Sequence, residues 1–295
     1  MDRGHQQAPT SNRRTQTIWL WAAFILLAVL IGCLAFFLIQ GLTERPGKVV
    51  PPAGPPAATS QQWGDRYCYA GAPRATASFP YQITVLTNTG YLVGYCERRK
   101  DPVWVCYRLF KPDNWSAPPR PQEFRTDYRT AARANTHDYS GSGYDRGHMA
   151  PNYAIAVCYG PQAQLETFLM SNIIPQRPAL NRQVWERLEQ SEIRDYAPRY
   201  RQIWVIDGPV FRRPGRLKGG EDVPDACYKI IVREKDGQPS ILAFIMPQTV
   251  RGTEPPTQFL TSVHEIEQET GLDFFSGMPP EVQKQFEAKT ATGMW

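Results

Sequence analysis

Between Ile18 and Ile39 the chain runs for 22 residues, IWLWAAFILLAVLIGCLAFFLI, without a charge or a proline. No other feature narrows the architecture as much. Wound as a helix at about 1.5 Å per residue, the run reaches about 33 Å, enough to cross a hydrocarbon core about 30 Å thick. A secretory signal peptide has a shorter apolar region, about 7–15 residues, followed by a small-x-small cleavage site. Gly41-Leu42-Thr43-Glu44 offers no good site. A buried core helix is rarely apolar on every side. The run is therefore read as a retained transmembrane anchor over residues 18–40, in contact with the lipid bilayer, behind a tail of residues 1–17.

Arg3, Arg13 and Arg14 precede the span, while Arg45 and Lys48 follow it. That excess favours a cytoplasmic N-terminus and an outward-facing domain. A bacterial inner membrane, with the domain in the periplasm or outside the cell, is the favoured setting; in a mitochondrion the same layout would face the intermembrane space. Residues 41–60 include PGKVVPPAGPP, a stiff extended spacer with no core-forming pattern. The fold proper is expected over residues 61–295, a length that suits one large domain.

Apart from Cys33 the cysteines are Cys68, Cys96, Cys106, Cys158 and Cys227, none in a C-x-x-C pair, which argues against a zinc site of ordinary spacing. Cys96 and Cys106 lie on adjacent expected strands and form a plausible pair; buried free thiols are an equal alternative. Charge says little. The chain carries +5, and without residues 1–60 the remaining 28 basic and 26 acidic residues leave only +2. Dedicated duplex-binding proteins usually show a larger excess.

Tyr81–Thr87 and Tyr91–Cys96 flank Asn88-Thr89-Gly90 and read as a hairpin. Val103–Phe110, Gln202–Phe211, Ala226–Arg233 and Ile241–Met246 read as four more strands, and Pro161–Met170, Asn181–Tyr196 and Thr257–Thr270 as helices. Strand runs mixed with a few helices, without regular βαβ alternation, indicate an α+β domain around a largely antiparallel central sheet with flanking helices.

Chemistry concentrates in Tyr139–Ile155, YSGSGYDRGHMAPNYAI, which sets Asp145, Arg146 and His148 beside glycines. A lone histidine is more often structural, but His148 has Arg146 close by. A neutral imidazole accepts a proton from water near pH 7, and a guanidinium fits phosphate oxygens with a planar fork. Further on, Asn181 opens an expected helix and Glu189 follows eight residues later. That spacing turns a helix about 80° past two full turns and advances it about 12 Å. An asparagine at a helix start is usually a cap; its amide oxygen is equally a hard ligand of the kind Mg²⁺ accepts.

These residues give the chain its resemblance to the DNA/RNA non-specific endonucleases, the ββα-metal family. It rests on Asp145-Arg146-Gly147-His148 with Ala150-Pro151, on Ser171-Asn172-Ile173 with Pro175-Gln176, and on Leu180-Asn181, Trp185 and Leu188-Glu189 at the family's spacing. Supporting segments include Val103-Trp104-Val105, Gly208-Pro209-Val210-Phe211 and Tyr228-Lys229. The resemblance implies a ββα-metal motif on the sheet domain and phosphodiester hydrolysis of DNA and/or RNA with little sequence preference, leaving 5′ phosphates. It makes His148 the general base, Asn181 the direct protein ligand of a hydrated Mg²⁺ (or Mn²⁺), and Glu189 the carboxylate holding one of the metal's waters. Arg146 becomes a phosphate contact and Asn172 an asparagine that orients the centre. Asp145 is left between a loop-holding role and a chemical one.

Two departures affect the outer phosphate contacts. Gln122 stands where some relatives carry an arginine, with Arg120 and Arg125 nearby, and Ile193 stands at another arginine position, with Arg194 next. Homodimers are common in the family, although no segment here reads as an interface. Two competing readings are an inactive nucleic-acid-binding module and a small-molecule phosphodiesterase. The first predicts damage at His148 or Asn181, and both are intact.

Overall fold

The computed structural model describes residues 66–236 and 238–295. The expected span, the spacer and the start of the domain lie outside the described residues, among which no helix is long and apolar enough to cross a membrane. The strands that carry the fold are β1 (Thr84–Asn88), β2 (Tyr91–Cys96), β3 (Asp101–Phe110), β4 (Asp145–His148), β5 (Ile173–Gln176), β6 (Gln202–Val210), β7 (Ala226–Lys235), β8 (Gln238–Pro247) and β9 (Leu260–Thr261). The helices are α1 (Asn152–Tyr159), α2 (Pro161–Thr167), α3 (the unbroken helical stretch 180–200), α4 (Val263–Thr270) and α5 (Pro280–Glu287).

Seven strands form one sheet in the order β9-β8-β7-β6-β3-β2-β1, every neighbouring pair antiparallel. The α+β expectation holds. Helices cover both faces, so the central strands read as near-continuous apolar runs rather than alternating ones. On β6, Ile203 and Val205 pack toward Val184, Leu188 and Ile193 of α3, while Trp204 and Ile206 pack toward Val263 and Ile266 of α4.

The strand period also puts two charges beneath α3. Lys229 and Asp207 sit directly opposite each other across β7 and β6. The Lys229 ammonium, fully buried, pairs with Asp207 and with Glu192 of α3, the latter at 2.9 Å. The Tyr107 hydroxyl lies 2.9 Å from both Lys229 Nζ and Glu192 Oε2. Burial works against the Lys229 charge, yet Asp207 and Glu192 outweigh it and hold the ammonium above its ordinary range. This ion cluster fixes α3 to the sheet at one rotational setting.

Several boundaries differ from the sequence reading. The first strand starts at Thr84 rather than Tyr81, and the helix expected to reach Met170 ends at Thr167, with Met170–Asn172 forming a 3₁₀ turn. The expected helix Thr257–Thr270 divides into a 3₁₀ turn, strand β9 and α4. The division follows from Ser262, whose side chain accepts from the Glu265 N–H and starts α4 there with a capping box. Helices α1 and α5 went unread.

The Cys96–Cys106 pairing is also corrected. In the β2–β3 register Cys106 lies opposite Leu92 and Cys96 opposite Asp101, so the two thiols are four residues out of step. Cys106 instead bonds Cys68, and Cys96, Cys158 and Cys227 are free.

Candidate active site

Strands β4 and β5 form a separate antiparallel ribbon, pairing Asp145 with Gln176 and His148 with Ile173. Gly147 is required there by close approach, because a Cβ would run into the Gln176 side chain. The ribbon delivers Arg146 and His148 to a cleft of about 250 Å³, and α3 lines the opposite side with Asn181 and Glu189. Four of the five side chains given roles by sequence thus meet in one place.

His148 is buried, and its Nε2 has no hydrogen-bond partner. Phe124 and Phe168 flank the imidazole at ring-centroid distances of 5.4 and 4.9 Å. Burial, helped by the Arg120 charge, pushes the imidazole down to about 3, so it stays neutral at physiological pH. The same two rings carry guanidinium groups, with Arg146 5.2 Å from the Phe124 centroid and Arg120 4.9 Å from that of Phe168. Arg146 is further tethered by donating to Thr136 Oγ1 at 2.6 Å. Arg120, left unassigned by sequence, lines the cleft. The backbone of Arg125 holds this segment in place, donating to the Phe168 carbonyl at 2.9 Å and accepting from the Met170 N–H at 2.8 Å.

Asn181 is not a helix cap. Its backbone N–H already donates to the Arg177 carbonyl at 2.9 Å, and it lies within the π turn Leu180–Trp185. Single π turns within helices recur at functional sites. Its side-chain nitrogen donates to Asp145 Oδ2 at 3.0 Å, leaving the amide oxygen as the free end. Arg182 grips the same carboxylate with two bonds of 2.7 and 2.6 Å. Burial resists ionisation of Asp145, but these hydrogen bonds prevail and hold its carboxyl below the usual range. Asp145 does not line the cleft; it orients Asn181.

Glu189 lines the cleft, and its Oε1 is buried without a hydrogen-bond partner. Burial pushes its carboxyl well above the ordinary range, with the Lys229 charge acting in the opposite sense. Asn172 does not line the cleft. Fully buried, it accepts from the Ala150 N–H at 2.8 Å and donates to the Ala150 and Thr167 carbonyls, each at 3.0 Å. That clamp fixes the backbone two residues beyond His148.

The donor set fits a hard cation. A free amide oxygen and an orphaned carboxylate oxygen share one cleft, with neither thiolate nor a second imidazole lining it. Oxygen-only donors suit Mg²⁺, which keeps most of its waters and takes few protein ligands. A neutral base, two guanidinium groups and such a cation are the parts needed to activate water against a phosphate ester.

A family profile for DNA/RNA non-specific endonucleases matches residues 70–281. The mitochondrial nuclease EXOG of Danio rerio is 33% identical over 216 residues, covering 67% of this chain and 61% of that protein. A nuclease of Nostoc sp. is 30% identical over 218 residues, covering 70% and 78%. Human mitochondrial endonuclease G is 30% identical over 218 residues, covering 68% and 72%. The fold resembles the crystal structure of an EndoG/EndoGI complex with a TM-score of 0.62 at 24% identity, over 75% of this chain and 94% of that one. The match spans about three fifths of the Danio rerio relative's length. The chain belongs to the DNA/RNA non-specific endonuclease family.

Proposed function

We propose that this protein is a membrane-anchored, Mg²⁺-dependent endonuclease that hydrolyses phosphodiester bonds of DNA and/or RNA and leaves 5′-phosphate ends. The observation that carries the reading is a buried, neutral His148 sharing one cleft with Arg146, Arg120, Asn181 and Glu189. His148 accepts the proton of the attacking water. Arg146, held in place by Thr136, binds phosphate oxygens and offsets the charge that grows on them. Arg120 adds a second contact from the other ring of the aromatic pair.

Asn181 would hold the cation through its amide oxygen, and Glu189 would accept hydrogen bonds from the cation's waters. When bound, Mg²⁺, or Mn²⁺ in its place, acts as a Lewis acid on the scissile phosphate and eases departure of the 3′ oxygen. Contacts limited to phosphate position a strand without reading its bases, which accounts for the low sequence preference.

The Cys68–Cys106 disulfide supports an outward-facing domain, because such bonds persist in oxidising compartments. The anchor proposed for residues 18–40 would hold the nuclease at the membrane surface. The test is to incubate the purified full-length chain with supercoiled plasmid and with RNA, in Mg²⁺ or EDTA, and to assay the new ends. Mg²⁺-dependent cuts bearing 5′ phosphates are expected. Hydrolysis of small phosphodiesters with both polymers left intact would favour the small-substrate reading.

A further inference from the structure

The far end of the ribbon opens into a second groove. Asp145 and Gln176 are its last pair, and the residues just outside them, Tyr144 and Arg177, line a cavity of about 440 Å³. The Arg177 guanidinium lies 5.5 Å from the centroid of the Tyr144 ring. Gly141, in the loop leading to Tyr144, forms part of the wall. Gly141 and Gly143 hold φ of +69° and +78°, left-handed backbone that favours glycine, and a Cβ on either would meet nothing within 4 Å. The wall is therefore open backbone at Gly141, where a ligand can come close. Neither glycine lines the cleft.

Backbone joins this groove to the cleft. The Arg177 carbonyl accepts from the Asn181 N–H at 2.9 Å, which sets Arg177 one helical turn, about 6 Å, from the proposed metal ligand. A duplex strand advances about 3.4 Å per phosphate, so the next phosphates of a strand held at Asn181 fall within an arginine's reach. Gln248 fixes the junction: buried, it accepts from the Arg177 N–H at 2.8 Å and donates to the Pro175 carbonyl at 2.7 Å. Two cations on the groove are uncommitted. Arg177 and Lys218 are exposed, and among the described residues neither forms an ion pair. The other charges on the wall are taken. Arg216 pairs with Asp222 at 2.6 Å. Asp138 accepts from the Asn135 N–H at 2.9 Å, and Asp225 accepts from the N–H groups of Arg212 and Arg213 at 2.7 and 2.9 Å.

We propose that Arg177 and Lys218 bind phosphates of the substrate strand next to the scissile one, in a groove that continues the cleft past the end of the ribbon. The proposal rests on the nuclease reading of the cleft and extends it to the neighbouring nucleotides. Arg177 presents a planar fork that matches phosphate oxygens, and Lys218 adds a point charge. Tyr144 positions Arg177, because its ring face attracts the guanidinium and narrows the conformations the long side chain explores. Contacts of this kind strengthen binding without reading bases.

The test compares the full-length wild type with Arg177→Ala/Lys218→Ala, and with Arg212→Ala as a surface cation away from the groove. Fluorescein-labelled oligothymidylate and oligouridylate, long enough to cross both grooves, are bound in EDTA over a range of salt. Cleavage of the same strands is then followed in Mg²⁺. Two lost phosphate contacts should reduce the slope of log K against log salt by about 1.4 and weaken binding about tenfold at about 0.15 M salt. KM should rise by a similar factor with kcat unchanged, and Arg177→Lys alone should keep the wild-type slope. Arg212→Ala should match the wild type. A wild type that binds and cuts, beside a double variant with the same slope and KM, would overturn the groove and leave the nuclease reading standing. An equal loss in Arg212→Ala would overturn it too, since net charge alone would then explain the effect. A wild type that neither binds nor cuts these strands would overturn the underlying reading as well.

Discussion

Asn181 donates its side-chain nitrogen to Asp145 at 3.0 Å, and this single bond decides which end of the amide is free. Asp145 cannot rotate away, because Arg182 holds both of its oxygens. A residue on the ribbon thus sets the orientation of a proposed ligand on the helix. Partners of this kind are worth about 10–100-fold in metal affinity or activity. Asp145→Ala is expected to raise the Mg²⁺ concentration that half-saturates cleavage by about that factor. An unchanged Mg²⁺ titration would remove Asp145 from the arrangement.

His148 makes the protein acid-sensitive in a definite window. In the unfolded chain an imidazole takes up its proton near pH 6.5, whereas in the fold it does so only near 3. Between these values the unfolded state binds the extra proton. Stability from this group is therefore complete above about pH 6.5 and declines as pH falls toward 3. Urea midpoints at pH 7.5 and pH 5, compared for wild type and His148→Gln, measure it. The wild type should lose more stability than the variant over that interval; equal losses would contradict a buried neutral imidazole.

Lys229 should matter far more to folding than a surface arginine. Removing one partner from a buried ion cluster costs about 3–5 kcal/mol, so Lys229→Met leaves Asp207 and Glu192 uncompensated beneath α3. Arg212 forms a partly exposed pair with Glu269, and Arg212→Ala should cost no more than about 1 kcal/mol. Denaturant midpoints of the two variants compare them directly. Similar small losses would show that α3 does not depend on the cluster.

The Cys68–Cys106 bond closes a loop of 38 residues. Chain entropy assigns such a loop about 4 kcal/mol of stability. Cys68→Ser should lower the urea midpoint accordingly, and dithiothreitol should destabilise the wild type but not the variant. Equal sensitivity of both to reductant would mean that the bond contributes little.

Much of this site could be read before the fold was known, for identifiable reasons. Arg146, His148, Asn181 and Glu189 lie in two compact motifs whose order and spacing are distinctive, so the resemblance placed them together. Arg120 lies in a proline-rich loop with no period, and only the packing of Phe124 and Phe168 against His148 brings it to the cleft. The Cys68 partner was hidden because a disulfide depends on tertiary register rather than on strand adjacency. Helix α1 escaped notice because consecutive Ala154, Ile155 and Ala156 are all buried, which erases the one-sided pattern that marks a surface helix. Lys229 was legible only as part of a strand and of the supporting Tyr228-Lys229 match; its partners come from β3, β6 and α3.

The central claim is that His148 is the base of a phosphodiester-cleaving centre, and the most direct measurement is the plasmid-nicking rate of full-length His148→Ala in saturating Mg²⁺. Circular dichroism and Mg²⁺ binding should match the wild type, while turnover should fall by at least about 10²-fold. A folded, Mg²⁺-binding His148→Ala protein that nicks plasmid at the wild-type rate would contradict it.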